Sequence, residues 1–145
     1  MTHQATIISF ANHKGGVGKT TTTASVGSIL ASLGKKVLLV DMDAQSNLTS
    51  SLLKNEGVEF TIYDALSASC RGAAYNLAVY PIAENLDIVP SSLRLASADL
   101  ELSSVMAREH LLSDVLQPQV TNYDYILIDC PPSLGLLTLN ALTAS

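Results

Sequence analysis

Charge is scarce in this chain: Asp, Glu, Lys and Arg make up 14% of its 145 residues, against 48% hydrophobic residues. That balance excludes a disordered polymer and points to a well-packed one, long enough to bury on the order of 70% of its unfolded surface. No apolar run approaches the roughly 20 residues that a membrane helix needs. Met1-Thr2-His3-Gln4 has neither the basic nor the apolar region of a secretory signal, so a cytoplasmic location is expected. Cysteine occurs only at Cys70 and Cys130, without C-x-x-C spacing. The pair predicts a reducing compartment and two small buried side chains, and argues against an iron–sulfur or zinc site. Basic residues are thin as well. Residues 1–50 carry four lysines against Asp41 and Asp43, a balance of +2, whereas residues 51–145 carry four basic against eleven acidic groups, a balance of −7. Nothing forms the basic stripe that binds DNA. Neither an internal repeat nor a low-complexity linker divides the chain.

What the chain does have is a glycine-rich turn between an apolar run and a helical pattern: Ser9-Phe10-Ala11-Asn12-His13-Lys14-Gly15-Gly16-Val17-Gly18-Lys19-Thr20-Thr21. Glycines let a backbone pass close to an anion with its N–H groups turned inward, and the following helix presents its positive end. Lys19 adds a mobile cation, and the Thr20 hydroxyl can ligate the Mg2+ that accompanies a nucleoside triphosphate. The P-loop pattern G-x-x-x-x-G-K-[ST] would put its first glycine at residue 13, where His13 stands, and a second lysine, Lys14, follows. The plainer alternative is a tight strand-to-helix turn with two surface lysines.

Along the chain, residues 5–11 read as a buried parallel strand and residues 19–33 as a helix whose packed side is Ala24, Val26, Ile29, Leu30 and Leu33, with Gly34 ending it. Val37-Leu38-Leu39-Val40 is a second strand, so this opening is a right-handed βαβ unit. It stops at Asp41-Met42-Asp43, where α/β folds place their chemistry; the alternative is that these carboxylates only cap the next segment. Thr61 is an N-cap for a helix over 61–67, residues 77–80 and 86–89 are short strands, and helices are expected over 93–102 and 106–116. Tyr125-Ile126-Leu127-Ile128-Asp129 is an apolar strand ending in a carboxylate of the kind that holds Mg2+ in P-loop proteins. The turn Cys130-Pro131-Pro132-Ser133 that follows is a candidate switch near a terminal phosphate, and residues 136–144 open another helix.

The run Lys14 to Thr22 resembles the deviant Walker A motif of the ParA/MinD family of ATPases, most closely the ParA/Soj-type partition proteins. The likeness continues through residues 37–45, 85–91 and 123–132, in the family's order. It implies a P-loop NTPase-type α/β fold, a mostly parallel sheet with helices on both faces, formed by residues 1–145 as one partial domain. It also implies ATP and Mg2+, and an ATP-driven homodimer in which Lys14 reaches the partner's phosphates. Lys19, with Gly15, Gly16, Val17, Gly18, Thr20 and Thr21, would hold the subunit's own phosphates. Thr20, Asp41 and Asp129 would serve the metal, Asp129 as the Walker B acid and Asp41 near the Mg2+ shell. Asp43 would orient the attacking water. A ParB-type adaptor, and non-specific DNA on the nucleoid in full-length relatives, are the implied partners; a membrane is not.

His13 stands where the family usually has Gln, Ala44 where it has Pro, and Ser46 where it has Gly. Family members run about a hundred residues longer, so the chain is expected to lack the half that reads adenine and binds DNA. Strand 5–11 would then be an exposed sheet edge, and the chain would self-associate or dissolve poorly. Two other functions remain open. One is a nucleotide-binding or interaction module without turnover. The other is a MinD-like division regulator, which would need an amphipathic membrane helix that residues 133–145 do not supply.

Overall fold

A computed structural model describes residues 3–12, 18–53 and 58–145. The apolar runs form β1 (Thr6–Phe10), β2 (Val37–Asp41), β3 (Tyr80–Ala83), β4 (Leu86–Val89) and β5 (Tyr125–Asp129). They make one sheet in the order β1-β5-β2-β4-β3. The first four are parallel and β3 alone is antiparallel, paired with β4. Helices α1 (Lys19–Ser32), α2 (Asn47–Leu52), α3 (Ile62–Cys70), α4 (Ala98–Leu102), α5 (Leu111–Leu116) and α6 (Leu136–Ala144) cover it. The fold is the expected α/β architecture.

Strand side chains alternate between two apolar layers, as period two requires. Leu38, Val40, Ile126 and Ile128 face α3, α4, α5 and α6, while Val37, Leu39, Ile88 and Leu127 face α1 and α2. Every residue of β2 is buried because strands flank it on both sides and helices lie above and below. β1 is different: it has only β5 beside it among the described residues, and Ile8 is 36% exposed. The expectation of a buried first strand is thus corrected, whereas the expectation that this strand forms a sheet edge agrees with the observed order.

Helix α1 also departs from its expected packing. Of the expected packed side, Ala24, Val26 and Leu30 do pack, half-buried, against the sheet, but Ile29 and Leu33 point to solvent and the fully buried positions are Thr23, Gly27 and Ala31. Small side chains at four-residue spacing let α1 lie close on the sheet; a Cβ at Gly27 would stand 2.8 Å from Cδ2 of Leu39. At its end, the N–H of Gly34 bonds to the Ala31 carbonyl and that of Lys35 to the Leu30 carbonyl, a paired closure of the last turn. Thr61 caps α3 as expected, with Asp64 returning the bond to the Thr61 N–H at 2.8 Å.

Three further expectations shift. The strand read at 77–80 begins at Tyr80, where Pro81 can sit because the far side of an edge strand needs no donor. The helix read over 93–102 is a 3₁₀ turn (Leu93–Ser97) followed by α4, and the one over 106–116 is a 3₁₀ turn (Arg108–His110) followed by α5. Asn140 of α6 explains part of that segmentation. Its side chain is buried, accepts from the Leu112 N–H at 3.0 Å and donates to the Arg108 carbonyl at 2.9 Å, so it pins the break itself. Among the described residues no helix is long and apolar enough to cross a membrane.

Candidate functional site

β5, β2 and β1 end side by side, with Asp129 in register with Asp41 on one flank and Phe10 on the other. α1 starts above these ends. Gly18 precedes it in a left-handed conformation, φ 67°, which a residue with a Cβ adopts only under strain. Among the described residues no side chain caps this helix start, and no acidic residue occupies its first turn. Its first N–H groups and its positive end are left facing a cleft of about 670 Å3. Gly18, Lys19, Thr20 and Thr21 line it together with Asp43, Gln45, Asn47 and Pro132.

Two side chains that line this cleft, both from α1, converge on one carboxylate that, like Asp41, is not itself among the lining residues. Lys19 Nζ pairs with Asp129 Oδ1, and Thr20 Oγ1 donates to Asp129 Oδ2 at 2.8 Å. Asp129 is fully buried and the Lys19 side chain only 11% exposed, so the pair is nearly dry. The structure brings together Lys19, Thr20 and Asp129, three residues that the sequence pattern selected 110 positions apart. Asp43 joins them as a lining residue. Its Oδ1 also accepts from the Gln45 N–H at 3.0 Å, so the plainer capping role is present beside the exposure to the cleft.

Asp41 is placed differently. Its carboxylate is fully buried and turned to α2, accepting from the Thr49 N–H at 2.9 Å and the Thr49 hydroxyl at 2.7 Å on Oδ2, and from the Asp43 N–H at 3.1 Å on Oδ1. It does not line the cleft. Burial pushes its carboxyl up from 3.8 to about 6; the bonds from Thr49 and Asp43 hold it down against that, and nearby Asp129 adds a smaller push upward. Lys14, Gly15, Gly16 and Val17, the remaining residues selected from the sequence, lie outside the described residues.

Thr49 was not singled out by sequence reading, and Ser91 figured as the last residue of the family-like stretch 85–91, with no role at the site. Ser91 donates from its hydroxyl to the Asp43 carbonyl at 2.6 Å, and its N–H bonds to Thr49 Oγ1 at 2.9 Å. The only available signal was position, Thr49 eight residues beyond Asp41 and Ser91 just past the end of β4. Cys130 contributes no chemistry: it is buried, and burial pushes its thiol up to about 11, so it stays protonated. Both cysteines are free.

The donor set suits a phosphate-bound divalent ion better than an all-protein metal cage. Among the described residues no group of three or more His, Cys, Asp or Glu could hold a metal. The Thr20 hydroxyl that lines the cleft and the buried Asp129 carboxylate bonded to it match the way Mg2+ is held, by one or two protein oxygens with waters and phosphates completing the shell.

The sequence matches the AAA domain family over residues 5–145. The sporulation initiation inhibitor protein Soj of Bacillus subtilis is 49% identical over 140 residues, which cover 96% of this chain and 54% of that protein. The chain belongs to the ParA/Soj family of P-loop ATPases. Solved structures superpose well on this fold. A plasmid partition protein from Borrelia burgdorferi matches with a TM-score of 0.86 at 33% identity, covering 98% of this chain and 62% of that one. Cobyrinic acid a,c-diamide synthase from Mycobacterium smegmatis, solved with an ATP analogue and magnesium, matches with a TM-score of 0.87 at 38% identity, covering 97% and 57%. The chain spans about half the length of the curated relatives it matches.

Proposed function

We propose that this chain binds ATP with Mg2+ in the cleft at the start of α1 and takes part in slow ATP hydrolysis as a partition ATPase of the ParA/Soj type. The observation that carries the proposal is the convergence of Lys19 and Thr20 on Asp129 at an uncapped helix start, with Asp43 lining the same cleft. Gly18, Lys19, Thr20 and Thr21 would cradle the phosphates, the Thr20 hydroxyl and Asp129 would hold the metal, and Asp43 would orient the attacking water. Bound Mg2+ supplies positive charge that offsets charge developing on the phosphate oxygens. Asp41, turned to Thr49, would act by fixing the loop between them. The finer parts of the reading rest on family likeness: Lys14 reaching a second subunit's phosphates, Gly15, Gly16 and Val17 completing the cradle, ATP-driven dimerisation, a ParB-type adaptor, nucleoid DNA and a bacterial cytoplasmic location.

Titration with ATP and Mg2+ tests the cradle directly. Lys19→Ala should weaken binding by roughly 10- to 100-fold, the range expected for losing one or two charge-assisted hydrogen bonds. Because that change leaves Asp129 buried and unpaired, circular dichroism must first show the variant folded. Asp43→Ala should bind normally and lose roughly 100-fold or more in phosphate release, within the usual range for a group that handles the attacking water's proton. Equal binding by the wild type and folded Lys19→Ala sinks the assignment. A second reading, a nucleotide-binding module without turnover, has one observation in its favour: the Asp43 carboxylate already accepts from the Gln45 N–H and is only 7% exposed. Bound nucleotide with no phosphate release from either wild type or Lys14→Ala selects it.

A further inference from the structure

We propose that Thr49 and Ser91 are positioning residues for Asp43, acting through a closed ring of hydrogen bonds that holds the loop carrying it; the inference rests on the role given to Asp43 above. The ring can be traced atom by atom. The Asp43 N–H donates to Asp41 Oδ1 at 3.1 Å, Thr49 Oγ1 donates to Asp41 Oδ2 at 2.7 Å, the Ser91 N–H donates to Thr49 Oγ1 at 2.9 Å, and Ser91 Oγ donates to the Asp43 carbonyl at 2.6 Å. It therefore ties the end of β2, helix α2 and the exit of β4 to both main-chain polar groups of one residue. Thr49 and Ser91 are 4% and 5% exposed and Asp41 is fully buried, so water does not compete for these bonds.

The Thr49 hydroxyl has no freedom of direction. The Ser91 N–H can only donate to it, so its own hydrogen must go to the Asp41 carboxylate. Each bond thereby fixes the next, and with both its N–H and its carbonyl held, the Asp43 backbone is located before any nucleotide arrives. The Asp43 side chain is the part left to reach the cleft. Valine in place of Thr49 would keep the shape of the side chain while removing the link between Asp41 and Ser91.

The discriminating experiment pairs kinetics with hydrogen exchange on the intact chain. Thr49→Val and Ser91→Ala should each lower the rate of phosphate release roughly 10- to 100-fold, the scale of a misplacement near 1 Å, while the dissociation constant for ATP with Mg2+ stays within about twofold because neither touches the α1 cradle. Thr49→Ser, which restores the hydroxyl, should recover most of the rate. In the nucleotide-free protein, amides of residues 42–47 should exchange faster in Thr49→Val and Ser91→Ala, with those of β2 and β5 unchanged. Ser91→Ala breaks only the bond to the Asp43 carbonyl and keeps the test available if Thr49→Val folds poorly. Wild-type rates in both variants, a parallel loss of binding and rate, or uniform exchange across the sheet each overturn the proposal. A wild type that binds but does not hydrolyse refutes the parent reading instead; the exchange pattern then decides alone whether the ring fixes Asp43.

Discussion

The Asp41 carboxyl is carried to about 6 by burial, and the shift makes a stability statement. Below about pH 3 the group is protonated in both folded and unfolded chains and burying it carries no ionic penalty. As pH rises from about 3 to 6, the unfolded chain releases its proton first, so the folded state loses ground. Above about pH 6 the penalty is complete, about 3 kcal/mol for a rise from 3.8 to about 6. Asp41→Asn removes the titration and retains one acceptor for the Thr49 hydroxyl. Urea unfolding of the nucleotide-free protein at pH 4 and pH 7 should then show the wild type losing about 2 kcal/mol relative to the variant across that interval, the rest of the penalty having set in below pH 4. A difference that stays constant with pH means that Asp41 ionises freely inside the fold.

At the scale of elements, the seat of α1 decides how the cleft is built, because Lys19 and Thr20 ride on its first turn. Leu39 is fully buried and cannot swing aside to admit a Cβ 2.8 Å from its Cδ2. Gly27→Ala would recover up to about 1 kcal/mol of helix propensity against that clash, but Gly27→Val adds branching and two more carbons. We expect it to lower stability by about 1–3 kcal/mol, read as a reduced urea midpoint, and to weaken ATP binding as α1 is pushed off the sheet. An unchanged midpoint would show that the helix is not held at contact distance. This is also where the sequence was least readable. Val37 to Val40 and Tyr125 to Ile128 announce themselves by apolar content, and Asp129, Lys19 and Thr20 by their place at strand and helix ends. On α1 apolar content finds only the flanks, Ala24, Val26 and Leu30; the fully buried line is Thr23, Gly27 and Ala31, and size rather than hydropathy selects those residues. Likewise the break before α5 is set by a buried amide 28 residues further on, beyond the reach of local periodicity.

For the molecule as a whole, the sheet order leaves one face of its logic open. β1 lies at the end of the order β1-β5-β2-β4-β3, so one row of its N–H and C=O groups has no strand to meet among the described residues. Exposed strand edges in stable monomers are usually blunted by lysine, proline or a bulge. Thr6-Ile7-Ile8-Ser9-Phe10 has no charge and no proline, and its pairing with β5 runs in unbroken register. On one face, Ser9 Oγ bonds to the Ala141 carbonyl of α6 at 2.8 Å, and α6 itself leaves Leu139 and Leu142 about half exposed. An unpaired apolar strand beside an exposed apolar helix favours association through that edge, and the charge of −5 is too small to oppose it strongly. The 145-residue chain should therefore show concentration-dependent association in sedimentation velocity at roughly 10–100 µM. Ile8→Lys places a charge in the strand at a position already 36% exposed and should shift the distribution toward monomer without lowering the unfolding free energy by more than about 1 kcal/mol. Sedimentation of the wild type as a single monomeric species throughout that range would show that the edge is already protected. Association that persists unchanged in Ile8→Lys would place the contact elsewhere, and the α1 surface bearing Ile29 and Leu33 is the next apolar patch to charge in the same way.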